Sequence, residues 1–174
     1  KDLAERKAAC AACVEVVRGL KTRIEESGTS VQHMIFGGTP TFPCYAEYPD
    51  ADLTPGTSFL FDWGYGSSFP DLPFEPAAFV VGRVIHSKPG EGFTLDIGSK
   101  AIATDPAGQR GMIVELPDAV PVAQSEEHWV FAWTADPGPA PGDEFLVVPT
   151  HICPTVNLHE KAFVVNGQGL VAEE

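Results

Sequence analysis

The 174-residue chain is short of positive charge, with 11 Lys and Arg against 24 Asp and Glu and a formal net charge of −13. It contains no run of five or more basic residues. Binding to a phosphate backbone needs clustered cations, so nucleic acid is excluded as a partner class. Long apolar runs are also lacking. None approaches the roughly 20 residues of a membrane-spanning helix, and the first residues, Lys1-Asp2-Leu3-Ala4-Glu5-Arg6, contain no signal-peptide core. No membrane partner is expected. An initiator Met is lacking, so the chain is expected to be processed, cloned or cut from something longer. The four cysteines, Cys10, Cys13, Cys44 and Cys153, are too few and too irregular for a disulfide scaffold. Reduced thiols and a cytoplasmic location are the expectation. Cys10-x-x-Cys13 sits in Ala-rich helical sequence and reads as small packing residues at i and i+3.

What is present is ordinary globular composition, 44% hydrophobic and 20% charged, in a chain long enough for one cored domain with an appendage. From Lys1 to about Glu26, apolar positions Leu3, Cys10, Cys13, Val14, Val17, Leu20 and Ile24 recur at three and four, predicting a helix that Gly28 ends. Thr29 to Phe36 reads as a strand. From Leu53 onward, short apolar segments are separated by Pro-Gly breaks: Ser58–Trp63, Ala78–His86, Gly92–Ile97, Met112–Leu116, Val130–Thr134, Glu144–Val148 and Ala162–Val165. They predict an antiparallel barrel or sandwich. The chain thus divides into a helix–strand unit (1–50), which looks like the last piece of a larger α/β architecture, and a mainly β domain (51–174).

Four stretches carry residues suited to chemistry. Val147-Val148-Pro149-Thr150-His151-Ile152-Cys153-Pro154 sets an imidazole and a thiol two residues apart. In an extended segment both project to one face, and they are a natural zinc pair. Pro149 and Pro154 argue against a helix or a central strand there. The alternative is a buried Cys beside a surface His. Two ligands do not close a structural zinc site, so other groups, water or substrate would have to complete the shell. Gly37-Gly38-Thr39-Pro40-Thr41 follows a strand. Its small residues let backbone N–H groups approach an anion, and both Thr hydroxyls can donate; a plain turn is the alternative. Asp96-Ile97-Gly98-Ser99-Lys100 offers a Lys that can pair with Asp96 or Asp105 or meet an anion. Ser125-Glu126-Glu127-His128 joins two acids and an imidazole, suited to acid–base work or to a polar strand entry. His33 and His86 read as structural, and His159 as a residue bordering the His151 site.

Taken in order, Gly37-Gly38-Thr39-Pro40-Thr41-Phe42, Leu53-Thr54-Pro55-Gly56-Thr57, Phe61-Asp62, Asp96-Ile97-Gly98-Ser99-Lys100-Ala101, Ser125-Glu126-Glu127-His128 and Pro149-Thr150-His151-Ile152-Cys153-Pro154-Thr155 resemble the D-threonine aldolase and D-serine dehydratase family of pyridoxal-phosphate enzymes, with the alanine-racemase-like fold. The resemblance implies a βα (TIM-like) barrel, of which residues 1–50 are a helix–strand remnant, followed by the β domain. It places Gly37, Gly38 and Thr39 in the loop that holds the cofactor phosphate and makes His151 and Cys153 the metal pair. The implied metal is divalent, with zinc favoured by the Cys ligand and manganese the alternative. The implied substrate is a D-β-hydroxy-amino acid, cleaved in a retro-aldol step or dehydrated. A homodimer is admitted. The family's Schiff-base lysine is on the first barrel strand, and none of Lys1, Lys7, Lys21, Lys88, Lys100 or Lys161 stands in that context. No catalytic residue is therefore assigned, and the chain alone is expected to be inactive. The competing reading is a non-catalytic β module that binds metal or mediates oligomerisation.

Overall fold

Helix α1, Leu3–Glu26, begins where Asp2 accepts the Glu5 N–H at 3.0 Å. The computed structural model describes residues 2–167 and 169–173, so the helix start expected at Lys1 lies outside them. At the other end Gly28, at φ +94°, donates to the Glu25 carbonyl while Thr29 donates to that of Ile24. This Schellman closure needs a left-handed residue, which explains the glycine. The buried stripe is Arg6, Cys10 and Val14; Leu3, Cys13 and Leu20, read as core-facing, are exposed. Arg6 is tolerated in the stripe because Asp71 pairs with both its terminal nitrogens (3.1 and 2.5 Å) and its guanidinium lies 4.8 Å from the centre of the Phe69 ring.

The chain forms two compact units, Lys1–Phe61 with Tyr65–Glu75, and Asp62–Gly64 with Pro76–Glu174. In the first, strand β1 (Ile35–Gly37) pairs parallel with β2 (Asp52–Thr54), in the register Phe36↔Leu53, through the short helix α2 (Phe42–Tyr45). A parallel pair joined by a crossover is the building block of a βα barrel. The strand expected from Thr29 is much shorter. Residues 29–34 belong to no strand; the Met34 carbonyl accepts the Asp52 N–H at 2.8 Å, and the ladder proper starts at Ile35 opposite Asp52. The strand expected over Ser58–Trp63 is instead a 3-10 turn, Thr57–Phe59, whose Thr57 carbonyl accepts from both Leu60 and Phe61. Helix α3, Trp63–Ser68, follows.

The second unit is built on a six-stranded antiparallel sheet. Its strands in chain order are β3 (Val80–Lys88), β4 (Gly92–Leu95), β5 (Gly111–Ile113), β6 (Val120–Gln124), β7 (Trp129–Ala132) and β8 (Glu144–Pro149). Their order across the sheet is β5-β8-β3-β4-β7-β6. One face supplies the core: Val80, Val84, Phe93, Leu95, Ile113, Trp129, Phe131 and Val147, with Phe93 and Phe131 stacked at 5.3 Å. Alternate positions point away, which is why Val81, Ile85 and Leu146 are exposed. Gly82 is needed on the core face, where a Cβ would lie 2.4 Å from Ile97 Cδ1. Strand β6 is not among the strands expected from the sequence, and it contains Pro121. At a sheet edge the missing N–H has no ladder partner to lose. A last hairpin pairs β9 (Phe163–Asn166) with β10 (Gly169–Glu173). The fold is mainly β, as expected.

Candidate metal centre and cofactor loop

Strand β8 is paired on both sides, Val147 opposite Val80 of β3 and Ile113 of β5. Pro149 therefore ends an interior strand, and the His151–Cys153 pair beyond it is not in a central strand, as expected. The ladder is extended by Thr150, whose N–H donates to the Arg110 carbonyl at 2.9 Å. His151 is extended (φ −135°, ψ 102°) and is the N-cap of helix α4, Ile152–Val156.

Cys153 therefore lies in the first turn of a helix, and the expected extended His-x-Cys segment is corrected. Pro154 does not forbid that helix. The first N–H groups of a helix have no intrahelical acceptor, so a proline there removes nothing. Cys153 is exposed and the His151 side chain is 42% exposed, so the alternative of a buried cysteine does not hold either.

Two carboxylates serve this segment. Asp105 Oδ2 lies 2.6 Å from His151 Nδ1. Asp62, only 2% exposed, accepts the Ile152 N–H at 3.1 Å. Asp62 thereby does the capping that the His151 side chain, which makes no cap bond, leaves undone. Between them Thr155, buried, donates from Oγ1 to the His151 carbonyl (2.8 Å) and accepts the Ala103 N–H (3.1 Å). Asp105 carries no signal in the sequence that ties it to a histidine 46 positions away; it was read as a partner for Lys100. Among the described residues no three His, Cys, Asp or Glu side chains converge as a metal shell. His159 donates from Nε2 to the Ala101 carbonyl at 2.9 Å, which fixes its ring there.

Two further motifs meet each other. The turn after Asp96 lies against the Ser125–His128 segment: Ser99 and Lys100 donate from their backbone to the carbonyls of Ser125 and Glu126. A Cβ at Gly98 would lie 2.1 Å from the Glu126 carbonyl carbon, so only glycine permits that approach. Lys100 pairs with Glu127 (3.0 Å) and Glu126 (3.3 Å), not with Asp96 or Asp105. Hydrogen bonding to Glu127 holds the Lys100 ammonium above its ordinary pKa and the Glu127 carboxyl below its own. Asp96 Oδ1 instead accepts the Arg83 backbone N–H at 2.6 Å.

In the first unit the Gly37–Thr41 loop leaves the C-terminal end of the β1–β2 pair, the end at which parallel α/β units place ligands. Gly38 has φ +94°, and a Cβ on Gly37 would lie 3.2 Å from Thr54 Oγ1. Thr39 is 2% exposed, and its Oγ1 accepts the Ser58 N–H at 3.1 Å. Thr41 donates its hydroxyl to the carbonyls of Gly37 and Gly38 (2.9 and 3.1 Å).

The family model described as "Putative serine dehydratase domain" matches residues 77–165, just over half of the chain. D-threonine aldolase of an Arthrobacter species is 29% identical over 171 residues, covering 92% of this chain and 43% of that protein. A crystal structure of D-threonine aldolase from Filomicrobium marinum superposes with a TM-score of 0.85 at 26% identity, covering 97% of this chain and 46% of that one. An uncharacterized protein of Mycobacterium tuberculosis is 34% identical over 105 residues, covering 58% of this chain and 79% of that protein. The chain thus spans about half the length of the D-threonine aldolases it matches. It belongs to the D-threonine aldolase and D-serine dehydratase family.

Proposed function

We propose that this chain is part of a pyridoxal-phosphate- and divalent-metal-dependent lyase acting on D-β-hydroxy-amino acids, by D-threonine-type aldol cleavage or D-serine-type dehydration. The observation that carries the reading is the His151–Cys153 segment. It lies inside the matched domain and follows an interior strand, and its imidazole has one nitrogen engaged by a carboxylate. An imidazole and an exposed thiol fit a soft divalent cation, with zinc favoured over manganese. As two donors they leave positions open for water or substrate. Gly37, Gly38 and Thr39 fit the cofactor phosphate, in a loop whose glycines carry no Cβ at the end of a parallel strand pair.

When bound, pyridoxal phosphate supplies an electron sink for the substrate carbon, and the cation polarises the β-oxygen. This chain's own part is to hold and orient. His151 and Cys153 would hold the cation. None of the chain's lysines is assigned as the Schiff-base lysine, and the isolated chain is proposed to be inactive; Lys7, Lys21, Lys88 and Lys100 are instead ion-paired with Glu47, Glu25, Glu91 and Glu127. We also propose a homodimer; the exposed Val81 and Leu146, paired across β3 and β8, support an apolar contact face.

The test is His151→Ala in a full-length parent. It abolishes D-threonine cleavage or D-serine dehydration with the fold intact by circular dichroism, whereas unchanged turnover overturns the assignment. The second reading, a non-catalytic metal-binding or oligomerisation module, draws support from the M. tuberculosis relative. There, 105 matched residues already make up 79% of the protein, which leaves no room for a barrel of roughly 250 residues. Metal retained by a protein of that length without lyase activity favours this second reading.

A further inference from the structure

We propose that Asp105 is a positioning residue for His151. It holds the imidazole as an Nδ1–H donor and thereby leaves Nε2, with its lone pair, as the nitrogen offered to a divalent cation. The inference rests on the reading of His151 and Cys153 as a metal pair. An ionised carboxylate only accepts hydrogen bonds, and a neutral imidazole carries one donor and one acceptor nitrogen. At 2.6 Å from Asp105 Oδ2, the neutral ring therefore carries its proton on Nδ1. An unconstrained histidine prefers the opposite tautomer. Carboxylate–histidine pairs of this kind fix ring orientation and raise ligand basicity in metal sites.

The pair is not an incidental surface contact, because the loop that carries Asp105 is clamped to the His151 segment on both sides. Before His151, Thr150 donates its backbone N–H to the Arg110 carbonyl (2.9 Å) and its hydroxyl to the Gln109 carbonyl (2.7 Å). After it, Thr155 bridges the His151 carbonyl and the Ala103 N–H. Residues 103–110 are thus held at both ends by the two threonines that flank the histidine, and Asp105 faces its ring. No group of three metal-binding side chains forms among the described residues, so Asp105 acts behind the ring and not as a third ligand beside Cys153.

The experiment uses the metal-free 174-residue chain at a pH where imidazole is neutral. Long-range proton–nitrogen NMR reads the His151 tautomer, assigned with His151→Ala, and competition with a chromophoric chelator reads zinc affinity. We expect the Nδ1–H form in the unaltered chain. In Asp105→Ala the tautomer reverts to Nε2–H and zinc binds about 10–100-fold more weakly. In Asp105→Asn, whose neutral amide is a weaker acceptor than a carboxylate and also presents an NH2 donor, the tautomer bias and zinc affinity fall part of the way; this variant carries the test if the alanine variant does not fold, and an unchanged tautomer population and zinc affinity in it overturns the proposal. An Nε2–H ring in the unaltered chain, or an unchanged tautomer and zinc affinity in Asp105→Ala, overturns the proposal. An Nδ1–H ring that depends on Asp105 in a chain that takes up no zinc overturns the metal reading and leaves the positioning of His151 by Asp105 standing.

Discussion

The buried carboxylate of Asp62 accepts the backbone N–H of Ile152 at 3.1 Å, 90 positions further along the chain. This bond stands in for the side-chain cap that α4 lacks at His151. Asp62→Ala is expected to cost about 0.5–2 kcal/mol, the usual range for a lost cap, read as a lower urea midpoint with an unchanged slope. Because α4 carries Cys153, zinc uptake should weaken in the same variant. An unchanged midpoint would show that Asp62 has no capping role.

Gly98→Ala places a methyl group 2.1 Å from the backbone of Glu126, and backbone cannot turn aside as a flexible side chain can. The turn must separate from residues 125–128, with an expected loss of about 1–3 kcal/mol. Gly19→Ala is the control. It lies inside α1 with nothing within 4 Å of the added methyl, so it should stabilise the chain by roughly 0.5–1 kcal/mol. Equal effects of the two substitutions would contradict this packing account.

Acid should weaken the first unit through Asp71. Its hydrogen bond and charge pairing with Arg6 hold its carboxyl below the ordinary carboxylate value. A carboxyl lowered by folding contributes stability that is present above its unfolded pKa, about 3.9, and is lost as pH falls through the lowered folded value. The difference in unfolding midpoint between the unaltered chain and Asp71→Asn should therefore shrink as pH falls from 5 to 2. A difference that stays constant over that window would remove Asp71 as the cause.

Thiol titration separates the cysteines. Cys10 and Cys44 are each 2% exposed, and burial pushes the Cys10 thiol above its usual pKa. Cys13 and Cys153 are exposed. Dithionitrobenzoate should react with two thiols quickly and with the other two only on unfolding, and Cys153→Ser should remove one fast equivalent. Prior zinc should slow Cys153 alone. A fast reaction of Cys10 would contradict its burial in the native state.

The period-two runs of β3, β4, β7 and β8 were legible because one face of each is core. The stop of α1 was legible because Gly28 must be left-handed. Edge strand β6 was not legible; it contains Pro121, whose cost depends on which side of the sheet it faces, and that is a tertiary fact. The conformation of His151 and Cys153 was misread for a similar reason. Pro154 is a helix breaker only beyond the first turn, and the local run does not say where the first turn begins. Asp105 and Lys100 show the limit most clearly: both are charged residues in turns, and only the folded chain decides that Asp105 meets His151 while Lys100 meets Glu127. Side-chain partners across tens of residues leave no periodic trace.

The two rims of the six-stranded sheet are both poor templates for another strand. On one side β5 offers three residues, Gly111–Ile113. On the other, β6 carries Pro121 and a register shift between Pro121 and Ala123. A sheet finished in this way resists growth by strand addition. Together with a net charge of −13, this should keep the chain from fibrillar stacking at high concentration.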